Sequence, residues 1–196
     1  RGDSLDQIIY MLLGPLRHRF TALERAKEQG IGHYFVPRYT RVVDTAESKD
    51  NINKAYNLIS TSKVRNEMII DDVITCVARK QTPVILTRFK EHAKFLHDAL
   101  KKKADHVFLL YGDNSDKENA EIRVKLKQIP ENESLILVAT GQKIGEGFDF
   151  PRLDVLMLAA PVSFEGRLEQ YVGRLNRDYV GKEAVYVYDY IDSYVR

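Results

Sequence analysis

SLILVATGQKIGEGFDFPRLDVLMLAA, residues 134–160, sets two apolar runs on either side of a glycine-bearing loop. SLILVAT (134–140) and DVLMLAA (154–160) are short and almost wholly apolar. A strand that is apolar on both alternating faces is buried on both sides, as strands inside a parallel sheet are. TPVILT (82–87), HVFLLY (106–111) and EAVYVYDYI (183–191) read as strands of the same sheet.

Helical patterns separate these runs. Phe89, Ala93, Leu96 and Leu100 step by four, three and four, so they share one helix face. Ile122, Leu126 and Ile129 mark a second helix, which Pro130 stops. Strands alternating with helices of this length imply repeated βαβ units. The expected fold is therefore α/β: a doubly wound, mainly parallel sheet flanked by helices, running from residue 46 to 196. Residues 52–80 predict two further helices that break near Ser60–Ser62.

Residues 1–45 read as a lead-in. LDQIIYMLL (5–13) is helical in pattern and Gly14-Pro15 end it. TALERAKEQG (21–30) carries a helix start at Thr21, a capping-box glutamate at Glu24 and a stop at Gly30. HYFVPRYTRVV (33–43) is extended, and Pro37 makes it an edge or irregular strand.

Composition narrows the function classes. The 196 residues are 44% hydrophobic and 30% charged, an ordinary globular mixture. No apolar run approaches the roughly 20 residues of a membrane span. A net charge of +2 gives no bulk signal for a strongly cationic nucleic-acid binder. Cys76 is the single cysteine, which excludes an internal disulfide and a zinc site built on cysteines, and suits a reducing cytoplasmic compartment. KKK (101–103) reads as the solvated end of a helix. His18, His33, His92, His97 and His106 show no metal-ligand spacing and read as surface residues; Asp71 and Asp72 read as solvated. No metal is expected.

In open sheets of this kind, sites form beyond the carboxyl ends of the strands. The loops to inspect follow Leu86, Leu110, Ala139 and Ala160. The loop after SLILVAT holds Gly141, Gly145 and Gly147, and then Asp149. Glycines there let backbone N–H groups approach a phosphate, although a plain tight turn uses the same residues. No G-x-x-x-x-G-K-[ST] string occurs, and the dinucleotide fingerprint lacks its third glycine. The chain thus contains neither cradle that holds a nucleotide by itself.

QYVGRLNR (170–177) carries the remaining chemistry. Gln170, Arg174 and Arg177 are spaced four and three apart, as one polar helix stripe. Leu168, Val172 and Leu175 form an apolar stripe that can dock the helix on a core. Taken alone, the polar stripe describes an amphipathic surface helix with solvated arginines.

The ordered set VILTRFKEHAKFL (84–96), LLYGD (109–113), LVATGQKIGEGFDFP (137–151) and QYVGRLNR resembles motifs IV, IVa, V and VI of the second, C-terminal RecA-like domain of superfamily-2 DEAD/DEAH-type helicases. The match covers roughly residues 80–190. The segments GPLRHRF and HYFVPRYTR also resemble the connector in bacterial helicases related to restriction-enzyme translocating subunits. The resemblance implies that Arg177 is an arginine finger for the γ-phosphate of ATP, that Arg174 faces the same phosphates, and that Gln170 organises the interface. It implies that Gly147 and Asp149 approach the nucleotide, with the carboxylate accepting from a ribose hydroxyl. Thr87, Arg88, Gly112, Thr140 and Gly141 match loops that hold a nucleic-acid backbone. ATP and Mg2+ would be held mainly by a preceding N-terminal RecA-like domain, to which residues 1–45 would connect. The nucleic acid would be DNA in preference to RNA. Many relatives have Thr-Gly where this chain has Leu175-Asn176, which bears on subfamily.

With no P-loop and no Walker B acids, the chain by itself is expected to hydrolyse ATP negligibly. Two other classes stand beside the motor: a stand-alone α/β interaction or nucleic-acid-binding module, and a small nucleotide-using enzyme such as a methyltransferase, which the missing glycine fingerprint disfavours.

Overall fold

The computed structural model describes residues 30–45, 51–111, 116–141, 149–162 and 165–195. The helices expected at 5–13 and 21–30 fall almost wholly outside these. Six strands form one all-parallel sheet: β1 (Gly32–Tyr39), β2 (Pro83–Thr87), β3 (His106–Leu110), β4 (Leu135–Thr140), β5 (Val155–Leu158) and β6 (Ala184–Ile191), in the spatial order β1-β6-β5-β2-β4-β3. Among the described residues the helices are α1 (Ile52–Thr61), α2 (Lys63–Ala78), α3 (Lys90–Leu100), α4 (Asp116–Gln128) and α5 (Glu165–Leu175).

Strand periodicity builds a core on each face. Val84, Leu86, Leu137, Ala139, Leu156 and Leu158 point to one side, where they meet Leu126 of α4 and Tyr171 and Leu175 of α5. Ile85, Ile136, Val138, Val155 and Met157 point to the other, where they meet Ile69, Val73 and Cys76 of α2 and Ala93, Leu96 and Leu100 of α3. Each central strand therefore serves two cores, which is why its sequence shows no polar face.

Ser62 separates α1 from α2, and its side chain accepts from the Arg65 N–H as an N-cap. Among the described residues strand β1 pairs only with β6 and lies at the sheet edge, where the missing N–H of Pro37 is tolerated. The Lys101–Lys103 run follows α3 and is exposed.

Two expectations about polar residues fail. Asp72 is not solvated: its Oδ2 accepts from Arg38 Nε at 2.8 Å and from the Tyr190 hydroxyl at 3.1 Å, pinning α2 to β1 and β6. His92 is not a surface residue but is 4% exposed. His33 and His106 are half-buried and hydrogen-bonded, to Asn176 and Glu133.

Candidate functional site

The parallel sheet aligns the ends of β2 and β4. Thr87 and Thr140 are register partners, so Thr87, Arg88, Thr140 and Gly141 lie side by side at the carboxyl edge. Arg88 is exposed, with its guanidinium carbon 4.3 Å from the centre of the Tyr56 ring. That cation–π contact holds a positive group at the carboxyl edge. Gly112 and Gly147 lie outside the described residues.

Thr87 is 3% exposed, and its hydroxyl turns inward to His92 Nδ1 at 2.7 Å. Asn66 Nδ2 donates to the Ser60 carbonyl, which directs Asn66 Oδ1 at His92 Nε2, 2.8 Å away. Nε2 must then carry the proton, and Nδ1 accepts from Thr87. Burial, with the nearby Arg65 charge, pulls the His92 pKa from 6.5 to about 4, so the imidazole is neutral.

Helix α5 carries the second group of candidates. Its apolar stripe docks as the spacing predicts: Leu175 is buried, and Leu168 and Val172 are packed against the core that faces α4. Gln170 is exposed and Arg174 half-buried. The helix ends at Leu175, so Arg177 is not on the helical stripe but in the segment after it. There Arg177 Nε lies 3.4 Å from Asp149 Oδ1, with both side chains about half exposed. The structure thus brings together one arginine and one carboxylate from two separate segments. An exposed pair of this kind is worth roughly 0–1 kcal/mol, so a phosphate can compete for the guanidinium.

Arg177 and Asp149 do not lie at the carboxyl edge. Asp149 precedes a turn at Pro151–Arg152 that leads into β5, and Asp154 at its end accepts from the Thr82 N–H before β2. Tyr179 donates to Glu131 before β4. These neighbours all precede strands, so the pair sits towards the amino edge. The reason is topological: α5 returns from the end of β5 to the start of β6, and residues beyond its last turn arrive at the opposite edge.

A hydrogen bond links the two groups. The Tyr171 hydroxyl of α5 donates to the Gly141 carbonyl at 3.0 Å. Gly173, on the same helix, has open space beside it: among the described residues, a Cβ there meets nothing within 4 Å. Sequence reasoning passed over Tyr171 and Lys182, read His33 as a surface residue, and met Asn176 only as a departure from the family pattern. Tyr171 and Asn176 were visible inside QYVGRLNR; His33 and Lys182 carry no local signal, because their partners are distant in sequence.

The family model described as helicase conserved C-terminal domain matches residues 64–178. Transcript termination protein A18 of Yaba-like disease virus is 28% identical over 172 residues, covering 82% of this chain and 35% of that protein. The protein of the same description from fowlpox virus (strain NVSL) is 28% identical over 135 residues, covering 67% of this chain and 28% of its own. The chain therefore spans about a third of the length of these curated relatives. Among solved structures, T4 UvsW superposes with a TM-score of 0.62 at 21% identity, over 83% of this chain and 33% of that one. Mss116p DEAD-box helicase domain 2, bound to an RNA duplex, superposes with a TM-score of 0.56 at 19% identity, over 83% and 55%. The last two likenesses concern the fold.

Proposed function

Because the chain belongs to the helicase conserved C-terminal domain family, we propose that it is the C-terminal half of an ATP-driven motor acting on nucleic acid, DNA in preference to RNA. Arg177 is the arginine finger and Arg174 a second phosphate-facing arginine, with Gln170 organising the interface. ATP and its Mg2+ are held mainly by a preceding N-terminal RecA-like domain, and Gly147 and Asp149 approach the nucleotide from this side. Thr87, Arg88, Gly112, Thr140 and Gly141 follow the nucleic-acid backbone. Such contacts position a strand without reading its sequence.

The observation that carries this reading is the Arg177–Asp149 pair at the end of α5. A guanidinium pre-oriented by a weak, exposed carboxylate contact can be transferred to a phosphate at little cost. Gly173 leaves the adjacent helix surface open for that approach. Placing the arginine on a separate domain makes hydrolysis depend on domain closure, and an arginine supplied in this way contributes about 10³–10⁵ in rate.

The test is ATP hydrolysis by the full-length protein, with and without single- and double-stranded DNA and RNA, for wild type and Arg177→Ala. Strong nucleic-acid stimulation that falls about 10³-fold or more in the variant is expected. Equal rates in the two proteins would make Arg177 a solvated surface residue and remove the reading.

A further inference from the structure

We propose that Lys182 is the positioning residue for Arg177: its ammonium group ties the backbone of the arginine to the backbone beside Asp149. This rests on the motor reading above and names a group that acts through Arg177.

Lys182 stands in the turn that follows α5. Gly181 has φ +79°, a conformation that favours glycine, and the Lys182 N–H donates to the Tyr179 carbonyl at 3.0 Å. From there Lys182 Nζ donates to the carbonyl of Leu175 at 2.8 Å, to that of Arg177 at 3.2 Å, and to that of Pro151. An ammonium group has three donors, and here three carbonyls take them. Capping the helix would need only the Leu175 carbonyl, at the negative end of the helix dipole. The other two contacts go further. One grips the residue that bears the guanidinium. The other grips Pro151, two residues beyond the carboxylate that the guanidinium meets.

A second contact holds the same segment from the opposite direction. His33 Nε2 lies 2.7 Å from Asn176 Oδ1, and Asn176 is 2% exposed. Residues 175–177 are therefore fixed between edge strand β1 and the turn before β5. The Arg177 side chain extends into solvent from a backbone held on both sides.

Holding a cation here has a chemical consequence. Burial pulls the Lys182 pKa from 10.5 to about 8, while the carboxylates of Asp154, before β5, and Asp178, after α5, pull it back up. Above that pH the amine has two hydrogens for three carbonyls, and one grip is lost.

The experiment measures kcat and KM for ATP with the full-length protein and saturating nucleic acid, from pH 6.5 to 9.5, for wild type, Lys182→Met, Lys182→Arg and Arg177→Ala. Lys182→Met is expected to lower kcat on the order of 100-fold, the effect of misplacing a reacting group by about 1 Å, with KM within about twofold. Wild-type kcat is expected to fall on the alkaline side with a midpoint near 8. Lys182→Arg, which stays charged, should keep its rate through pH 9.5. A Lys182→Met kcat near wild type beside an inactive Arg177→Ala would overturn this inference alone. So would a Lys182→Arg profile that coincides with wild type, which decides the matter even if the methionine variant does not fold. A fully active Arg177→Ala would overturn the motor reading, and this inference with it.

Discussion

The Tyr171 hydroxyl lies 3.0 Å from the Gly141 carbonyl oxygen, and a Cβ built on Gly141 would stand 2.6 Å from that same hydroxyl. The tyrosine is 6% exposed and packed in the core, so it has little room to withdraw. Gly141→Ala should therefore destabilise the domain by about 1–3 kcal/mol. Tyr171→Phe alone should lose about 1 kcal/mol, one hydrogen bond. The two together should be less harmful than their sum, because the phenylalanine ring leaves space for the methyl group. Urea unfolding of the four proteins measures that coupling. Strict additivity would mean that the loop and the helix do not touch as described.

Gly173 gives a prediction of opposite sign for stability and for activity. Among the described residues an alanine there meets nothing within 4 Å, and it improves helix propensity, so the melting temperature should rise, by the equivalent of about 1 kcal/mol. If ATP phosphates approach this face, the added methyl group should also reduce ATP hydrolysis by the full-length protein. A stabilised variant with unchanged hydrolysis would show that nothing approaches the helix closely at Gly173.

The buried ion pair offers a test of stability alone. Arg65 is fully buried; its Nε donates to both carboxylate oxygens of Asp192, at 3.0 and 3.1 Å, and its Nη1 donates to the Ala159 carbonyl at 2.8 Å. Asp192→Asn strands a buried cation and should cost about 3–5 kcal/mol in urea unfolding. Replacing Arg65 by methionine in the same protein should recover much of that loss. A single-variant loss under about 0.5 kcal/mol would mean that water reaches the pair.

Acid should weaken the fold through His92. Its folded pKa, about 4, lies below the ordinary 6.5, so between these values the unfolded chain binds the extra proton. Stability therefore falls as pH drops through that window, by on the order of 3 kcal/mol in full. Unfolding free energies from pH 7 to 4 should show the decline, and His92→Gln should flatten it from a lower starting value. An unchanged slope in the variant would assign the acid sensitivity to other groups.

Much of the scaffold was readable because its signals are local. Val84 to Leu86, Leu135 to Ala139 and Val155 to Leu158 are apolar because both faces are covered, and Pro37 places its strand at an edge. The candidate site was named from the sequence as residue types but not as a place. Arg177 keeps helical spacing with Arg174, yet the helix stops at Leu175, and the return of α5 carries the arginine to the amino edge. His92 looked like a surface residue because its partners, Asn66 and Thr87, belong to other elements. Arg65 did leave a trace: it continues the buried row of Ile69, Val73 and Cys76, where an arginine has to find a carboxylate.

Strand β1 lies beside β6, the last strand, and not beside any strand nearer in the chain. The bridge from Val43 to Tyr194 repeats that long closure. During synthesis, residues 32–39 therefore meet their β6 partner only once residues 184–191 have left the ribosome. Closing so long a loop is an intrinsically slow step. Through that interval Phe35 and Tyr39, which stay exposed even in the finished fold, stand on a strand that still lacks β6. The proline in the middle of that strand limits what else can pair with it in the meantime.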